Sequence, residues 1–151
     1  MKTTIILLLG LLMAAARPPT MSDPTPRQTE PVLKKYQWKA RVLLVFAPVE
    51  ESPLFLKQRD INQQSRDGYR ERDLVILEVF QREGRDGSGP PLTRPQVESL
   101  RKQFGVKMDE FTVILLGKDG GEKLRQTRPV TAEALFRLID SMPMRQREMR
   151  Q

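Results

Sequence analysis

Three short and almost continuously apolar runs constrain the fold of this 151-residue chain more than any other feature. They are residues 41–47 (RVLLVFA), residues 74–80 (LVILEVF) and residues 111–116 (FTVILL). A strand with one solvated face alternates apolar and polar residues, whereas a strand covered on both faces is apolar throughout. The runs therefore predict the centre of a sheet that is covered by helices on both sides.

The segment between the first two runs carries a helix signal. Ser52 is a favoured N-cap residue, and Pro53 suits the first helical position. We expect a helix over residues 53–69 whose inward side chains are Leu54, Phe55 and Ile61.

Two further helices follow from their capping residues. Thr93 with Gln96 three positions later forms a capping box, and Gly105 ends that helix. Thr131 caps the last helix, in which four apolar residues recur at helical spacing: Leu135, Leu138, Ile139 and Met142.

The remaining segments predict a loop and a hairpin. Residues 82–91 are rich in Gly and Pro and read as a flexible loop, whereas residues 118–121 (KDGG) suit a tight turn before a returning strand at 122–126. The element order predicts an α/β, thioredoxin-like fold: a central mixed four-stranded sheet with helices on both faces.

The N-terminus predicts export. Met1-Lys2, an apolar run over 5–13 and three alanines at 14–16 give the order of a secretory signal peptide over residues 1–16. The alternative is an uncleaved anchor, although the run is shorter than the roughly 20 residues of a membrane-spanning helix. The predicted location is periplasmic or secreted, with no transmembrane span after signal removal and no nucleic acid as partner.

The predicted domain boundary lies at the first tryptophan. Residues 17–37 are rich in Pro and Thr and predict a disordered linker, and residues 38–151 form the domain. Trp38 is expected to pack as a lid on the edge of that domain.

The chain contains no cysteine and no histidine. Thiolate nucleophiles, disulfides and sulfur ligands are therefore excluded, as are the commonest general base and metal ligand. Catalysis would be left to carboxylates, hydroxyls, Lys or Tyr. We expect no catalytic residue of the usual kinds, no metal site and no cofactor.

Two acidic positions leave a catalytic or metal-binding alternative open. Glu50 and Glu51 precede a predicted helix, where carboxylates can bind a cation or act as acid and base, but where the helix dipole also favours them. Asp119 begins an Asp-Gly-Gly sequence that suits a hairpin turn better than a calcium loop.

The chain is basic, with 26 Lys and Arg against 19 Asp and Glu, and its C-terminus is the candidate binding surface. We expect arginines and methionines there to bind an acidic partner: Arg137, Arg145, Arg147, Arg150, Met142 and Met144. The alternative is that these arginines complement the dipole of the terminal helix.

Several sequence pieces together resemble a known family. They are residues 43–48 (LLVFAP), 72–74 (RDL), 117–124 (GKDGGEKL) and 138–149 (LIDSMPMRQREM). The chain resembles a peroxiredoxin-like domain family of unknown function. It occurs in small exported bacterial proteins and in the vertebrate sushi-repeat X-linked and down-regulated-by-oncogenes matrix proteins. The resemblance implies a thioredoxin-like fold and an extracytoplasmic setting.

The resemblance also identifies a degenerate redox site. Peroxiredoxins carry Pro, three residues, Thr or Ser, two residues and then the peroxidatic Cys. Pro48 and Ser52 match the first two positions, and Phe55 stands where the Cys would be. The alternative is that Pro48 simply ends a strand and Ser52 simply caps a helix. Phe cannot form a thiolate or sulfenic acid, so thiol peroxidase chemistry is excluded.

The favoured function is an exported, non-catalytic binding domain for an envelope protein or a polyanionic partner. The alternative is a redox-derived accessory protein of oxidative-stress defence without its own thiol chemistry. A carboxylate-based hydrolase is the third hypothesis.

Overall fold

The computed structural model describes residues 31–151. The predicted signal peptide and the first part of the predicted linker lie outside the described residues. The rest of that linker is folded: a 3₁₀ helix spans Val32–Lys35, and Tyr36 packs in the core with 6% exposure. The folded part therefore begins before the predicted boundary at residue 38.

Five strands and five helices follow the 3₁₀ helix. In chain order they are β1 (Arg41–Phe46), α1 (Pro53–Gln64), α2 (Arg66–Glu71), β2 (Leu74–Val79), β3 (Gly84–Asp86), α3 (Arg94–Phe104), β4 (Thr112–Leu116), β5 (Glu122–Gln126), α4 (Ala132–Asp140) and α5 (Pro143–Glu148). The predicted hairpin strand at 122–126 is confirmed as β5.

The strands form one mixed sheet in the order β3-β2-β1-β4-β5. β1 and β2 are parallel, and the three other pairs are antiparallel. The sheet has five strands rather than the predicted four, because β3 lies within the segment that reads as a flexible loop. Its sequence, GRD, has no apolar pattern, and its pairing with Leu77–Val79 through the main chain makes it a strand.

Helices cover both faces of the sheet, as the apolar runs predict. Alternate side chains of β1 pack against two separate clusters: Leu43 and Val45 face α1, α2 and α4, whereas Val42 and Leu44 face α3 and the 3₁₀ helix. All six residues of β1 and all five of β4 are buried. The centre of the sheet is therefore the core of the domain.

The helix predicted over 53–69 is two helices. α1 ends at Gln64, and Ser65 takes a non-helical backbone conformation before α2 begins. Phe55 is buried and Ile61 packs against the core, but Leu54 is 43% exposed, so its predicted inward orientation is wrong.

Trp38 does not pack as a lid. Its side chain is 64% exposed, and its backbone has a φ of 65°, in the left-handed region that few non-glycine residues adopt. The backbone N–H of Trp38 donates a hydrogen bond of 2.6 Å to the carbonyl of Lys118. This contact fixes the turn that leads into β1.

Gly68 allows α2 to pack closely on α4. A Cβ atom at this position would lie 2.4 Å from Cζ of Phe136. The Phe136 ring itself is held between Tyr69, at 5.7 Å between centroids, and the guanidinium of Arg72, at 4.2 Å. The ring therefore cannot move away without giving up one of these contacts.

We predict that Gly68→Ala destabilises the domain by about 1–3 kcal/mol because it overpacks this contact. In an unobstructed helix the same change would stabilise by about 0.5–1 kcal/mol. Gly121→Ala is the matched control, because its nearest atoms lie at 3.4 Å and beyond. Urea unfolding measures both variants, and a Gly68→Ala protein as stable as the control would contradict the packing argument.

Candidate binding groove

The position predicted to be a degenerate redox site is filled by core packing. Phe55 is 1% exposed, and its ring meets Phe80 edge to face at 4.9 Å. The Ser52 hydroxyl donates to the carbonyl of Val49 at 2.7 Å and makes no cap on α1, so its predicted role as a capping side chain is wrong. Pro48 ends the apolar run just after β1. These residues leave no reactive group at the junction.

Arg101 occupies the carboxyl ends of β1 and β2, where open α/β sheets usually bind ligands. Its guanidinium donates to the carbonyls of Ala47 at 2.8 Å, Phe80 at 3.1 Å and Lys107 at 2.6 Å. Burial lowers the pKa of Arg101, although Glu110 opposes the shift. Sequence reasoning missed this residue, but Arg101 lies four positions after Val97 and so shares the buried face of α3.

The acidic positions do not converge on a site. Glu50 forms an ion pair with Arg85, and Glu51 is exposed. Asp119 accepts hydrogen bonds from Lys123 and from the backbone of Gly121 in the predicted hairpin turn, and these bonds lower its pKa. Within residues 31–151 no group of three acidic side chains could hold a metal ion.

The predicted C-terminal binding surface is divided by an ion-pair network around the buried side chain of Arg145. The Arg145 side chain is 8% exposed and pairs with Glu71 at 3.0 Å and with Asp140 at 3.3 Å. Arg72 pairs with Asp140 at 2.7 Å. Arg145 is therefore unavailable to a partner, because the carboxylates that it needs in the folded state come from other helices.

The same network joins α5 to the sheet. Arg41, whose side chain is 1% exposed, pairs with Glu148 at 3.3 Å. Lys118 bridges Glu148 at 2.7 Å and Asp73 at 2.8 Å. Burial alone would raise the pKa of Glu148, but hydrogen bonds from Lys118 and Arg41 outweigh it and lower the pKa. Asp140 has a lowered pKa for the same reason, through Arg72 and Arg145.

The rest of the predicted surface is scattered. Arg137, Arg147 and Arg150 are exposed, whereas Met142 packs partly against the core and Met144 is half-buried. The structure therefore does not gather these side chains into one cationic and apolar patch.

A basic groove of about 950 Å³ lies between the α1–α2 segment and the edge of the sheet at β2 and β3. Its helical wall carries hydrogen-bond donors at a spacing of three or four residues: Arg59, Asn62, Gln63, Arg66 and Arg70. Its floor is the beginning of β2, Leu74–Ile76, and its far rim includes Arg85, Asp86 and Ser88. Lys39 lies at one end.

The acidic groups of the basic groove are already neutralised. Glu78 pairs with Arg85 at 2.8 Å, and Asp73 pairs with Lys118. Asp86 is bound by Lys35 and by the hydroxyl of Tyr36, and these bonds lower its pKa against the opposing effect of burial.

Several cations of the same groove have no such partner. Lys39, Arg59 and Arg66 form no ion pair with any residue of the described part of the chain, and Arg70 pairs with the exposed Asp67. The charge left free in the groove is therefore positive.

Asn62 adds a donor to this wall. The residue is 5% exposed, and its Oδ1 accepts from Gln58 Nε2 at 2.9 Å and from the Tyr69 hydroxyl at 3.0 Å. Gln58 is itself fixed by both backbone groups of Val130, so it must donate to Asn62. These bonds fix the amide orientation and leave the Asn62 NH₂ without an acceptor among residues 31–151. The NH₂ nitrogen is accessible to solvent, so it is open to a ligand acceptor in the groove.

Sequence reasoning did not find the basic groove. It assigned roles only to the inward side chains of the segment 53–69 and none to its polar positions. The spacing of Arg59, Asn62, Gln63 and Arg66 was the available signal, because these positions share one helical face. The opposite wall of the groove could not be predicted from the sequence, because β3 has no apolar pattern that would mark it as a strand.

Comparison with known proteins identifies related sequences. Residues 32–148 match the family described as "Domain of unknown function (DUF4174)". The chain is 32% identical over 129 residues to the human sushi repeat-containing protein SRPX, covering 82% of this chain and 27% of that protein. It is 28% identical to the zebrafish coiled-coil domain-containing protein 80, covering 82% and 16%. These matches confirm the predicted resemblance.

Solved structures with a similar fold include peroxiredoxins. Thioredoxin peroxidase I of Plasmodium yoelii superposes with a TM-score of 0.60 at 16% identity, covering 76% of this chain and 79% of that chain. The reduced 2-Cys peroxiredoxin of Plasmodium vivax gives 0.58 at 15% identity, covering 76% and 72%. The similarity shows the fold alone, and it confirms the predicted thioredoxin-like class.

We predict that Arg145→Ala lowers the free energy of unfolding by about 1–2 kcal/mol, because it removes a buried guanidinium that pairs with Glu71 and Asp140, although Arg72 still pairs with Asp140. Arg147→Ala, in the same helix but exposed, is the control and should change stability by less than about 0.5 kcal/mol. Urea unfolding followed by circular dichroism measures both. Equal effects would show that the network adds nothing beyond surface charge.

Acid should weaken this network. A carboxyl whose pKa is lower in the folded state stabilises the protein above its unfolded pKa and loses that contribution as the pH falls. Stability should therefore decrease from about pH 5 to about pH 3, and less steeply in Asp140→Asn/Glu148→Gln. Unfolding free energies across this range test the prediction, and parallel curves for the two proteins would contradict it.

Proposed function

We propose that this chain, which belongs to the family described as domain of unknown function DUF4174 and is similar to a sushi repeat-containing protein, is a non-catalytic binding domain of an exported protein. Its binding site is the basic groove, and its partner is acidic. The thioredoxin-like fold acts here as a scaffold for recognition.

The observation that supports this proposal is the separation of charges in the basic groove. The acids at its rim and end are held by neighbouring cations or by Tyr36, whereas Lys39, Arg59 and Arg66 have no carboxylate partner among the described residues. A concave surface lined by free charge of one sign attracts ligands of the opposite sign. The NH₂ group of Asn62 provides a further donor at the same wall.

The proposal of a non-catalytic role follows from the chemistry of the side chains. The chain lacks cysteine and histidine, and the junction at Phe55 is closed by core packing. Three acids line the groove, and all three are engaged in ion pairs: Asp73, Glu78 and Asp86. Carboxylates held in this way are poor general bases because their cations favour the ionised, hydrogen-bonded state.

The location in the proposal rests on the sequence before residue 31. Residues 1–16 have the charge and apolar pattern of a secretory signal. Among residues 31–151 no helix combines the length and apolar character needed to cross a bilayer. The chain spans about a quarter of the length of its sushi repeat-containing relatives. The proposal therefore covers this domain alone and does not extend to the activities of those longer proteins.

The second candidate is a redox-derived accessory protein. The similarity of its fold to two peroxiredoxins favours this alternative. Such a protein would bind a partner of an oxidative-stress system without turning it over. Thiol-dependent peroxide consumption by the purified protein would favour an enzyme over both candidates.

We predict that the groove, and not the basic C-terminus, determines binding to a polyanion. On immobilised heparin, Arg59→Gln/Arg66→Gln should elute at a clearly lower salt concentration than the unchanged protein, because retention depends on screened charge contacts. The matched control is Arg147→Gln/Arg150→Gln, which removes the same charge from exposed positions. Equal shifts for the two variants would show that retention reflects net charge alone and would contradict the proposal.

A further inference from the structure

The basic groove contains an open stretch of sheet edge. β3 pairs with β2 over Leu77–Val79, and the N–H of Gly87 extends this contact to the carbonyl of Ile76 at 2.9 Å. β3 does not reach further back along β2. The beginning of β2, which forms the groove floor, therefore has β1 on one side and no strand on the other.

The backbone of Leu74 faces this open side. The N–H of Arg41 donates to the carbonyl of Asp73 at 2.8 Å, so the backbone groups of Asp73 point towards β1. Successive residues of a strand alternate in direction, so the N–H and C=O of Leu74 point away from β1, as those of Ile76 do. No described residue forms a hydrogen bond with either group of Leu74. An open edge of this kind is a template for another strand.

This inference rests on the proposed function and names the partner. We infer that the acidic partner of the basic groove is an extended peptide segment that adds to the edge of β2 in line with β3. Its backbone pairs with Leu74, and its carboxylates lie against Arg59 and Arg66. The NH₂ group of Asn62 donates to an acceptor of the same segment.

The groove fits a peptide better than an acidic polysaccharide. The edge of β2 that forms its floor is flanked by the half-buried aliphatic side chains of Val75 and Ile76 on opposite faces of the sheet, whereas Leu74 is buried in the core. Such an apolar edge suits the side chains of an added strand. Tyr69 is the one aromatic residue among the lining residues, and it is 3% exposed, so no open ring offers a stacking surface for a sugar. The free backbone groups of Leu74 match the spacing of another main chain.

The chain itself is a poor source of this segment. Residues 17–30 contain four prolines, and their two acids are matched by two arginines. Proline lacks the N–H that pairing with an edge requires. A second copy is disfavoured by the formal net charge of +7 on the chain. A separate acidic peptide is the occupant that charge complementarity selects.

Two labelled peptides of equal charge test the inference. The first alternates Glu and Val and can form a strand. The second alternates Glu and Pro, so half of its residues lack an N–H and its backbone favours the polyproline II conformation over a paired strand. Fluorescence anisotropy should show the Glu-Val peptide binding about tenfold or more tightly than the Glu-Pro peptide. Arg59→Gln/Arg66→Gln should weaken the Glu-Val peptide by about tenfold, and the control Arg147→Gln/Arg150→Gln by less than about twofold.

Hydrogen exchange of the Leu74 amide distinguishes strand pairing from attraction between charges, because only a paired strand protects this amide. The Glu-Val peptide should slow this exchange, and heparin should not. Equal binding of the two peptides, or unchanged exchange at Leu74, would overturn the inference and leave the proposed function standing. Heparin retention that depends on Arg59 and Arg66, with no binding of the Glu-Val peptide, would favour a polysaccharide. Peptide binding that is indifferent to both arginines would count against the inference and the proposed function together.

Discussion

Burial of β1 and β4 on both faces is the constraint on which the rest of the structure depends. Leu43, Leu44, Val113 and Ile114 are fully buried, so helices must cover both sides of the sheet. α1, α2 and α4 form one layer, and α3 with the 3₁₀ helix forms the other. The two ends of the sheet cannot be closed in the same way, because they present backbone carbonyls and charged residues rather than apolar side chains. Cations close them instead.

The arginines and lysines of this chain serve three physically different purposes. Arg101 binds backbone carbonyls at one end of the sheet, and Arg145 belongs to an ion-pair network at α5. Arg59 and Arg66 line the basic groove with no carboxylate partner in the described part of the chain. The excess of positive charge in the composition is therefore meaningful only where cations are neither buried nor paired. Among the described residues, the groove beside β2 gathers several such cations on a concave surface, whereas Arg137, Arg147 and Arg150 are scattered over the C-terminal helices.

The sequence predicted the helices and strands that are marked by neighbouring residues. It did not predict the features that depend on contacts between distant parts of the chain. The apolar runs, the Lys-Asp-Gly-Gly turn and the capping residues gave the sheet centre, the hairpin and most helix boundaries. β3 was not predicted, because its three residues have no strand pattern of their own. They form a strand only through pairing with Leu77–Val79. Arg145 was predicted to bind a partner, but it is buried in ion pairs. The sequence around an arginine does not show whether the folded chain will bring carboxylates next to it. Part of the family resemblance therefore lies in the ion-pair network: Arg72, Asp73, Lys118, Arg145 and Glu148.

By itself the sequence determined that the core is a sheet buried on both faces and that no thiol or imidazole chemistry is available to this chain. These properties follow from composition and from the order of apolar residues. The tertiary structure decided which charged groups are satisfied, because their partners are far apart in the chain: Arg145 and Glu71 are separated by 74 residues, and Gln58 and Val130 by 72. It also decided that Asn62 has its oxygen bound and its NH₂ free of acceptors within residues 31–151. The candidate site depends on such contacts between distant residues, which local sequence patterns do not predict.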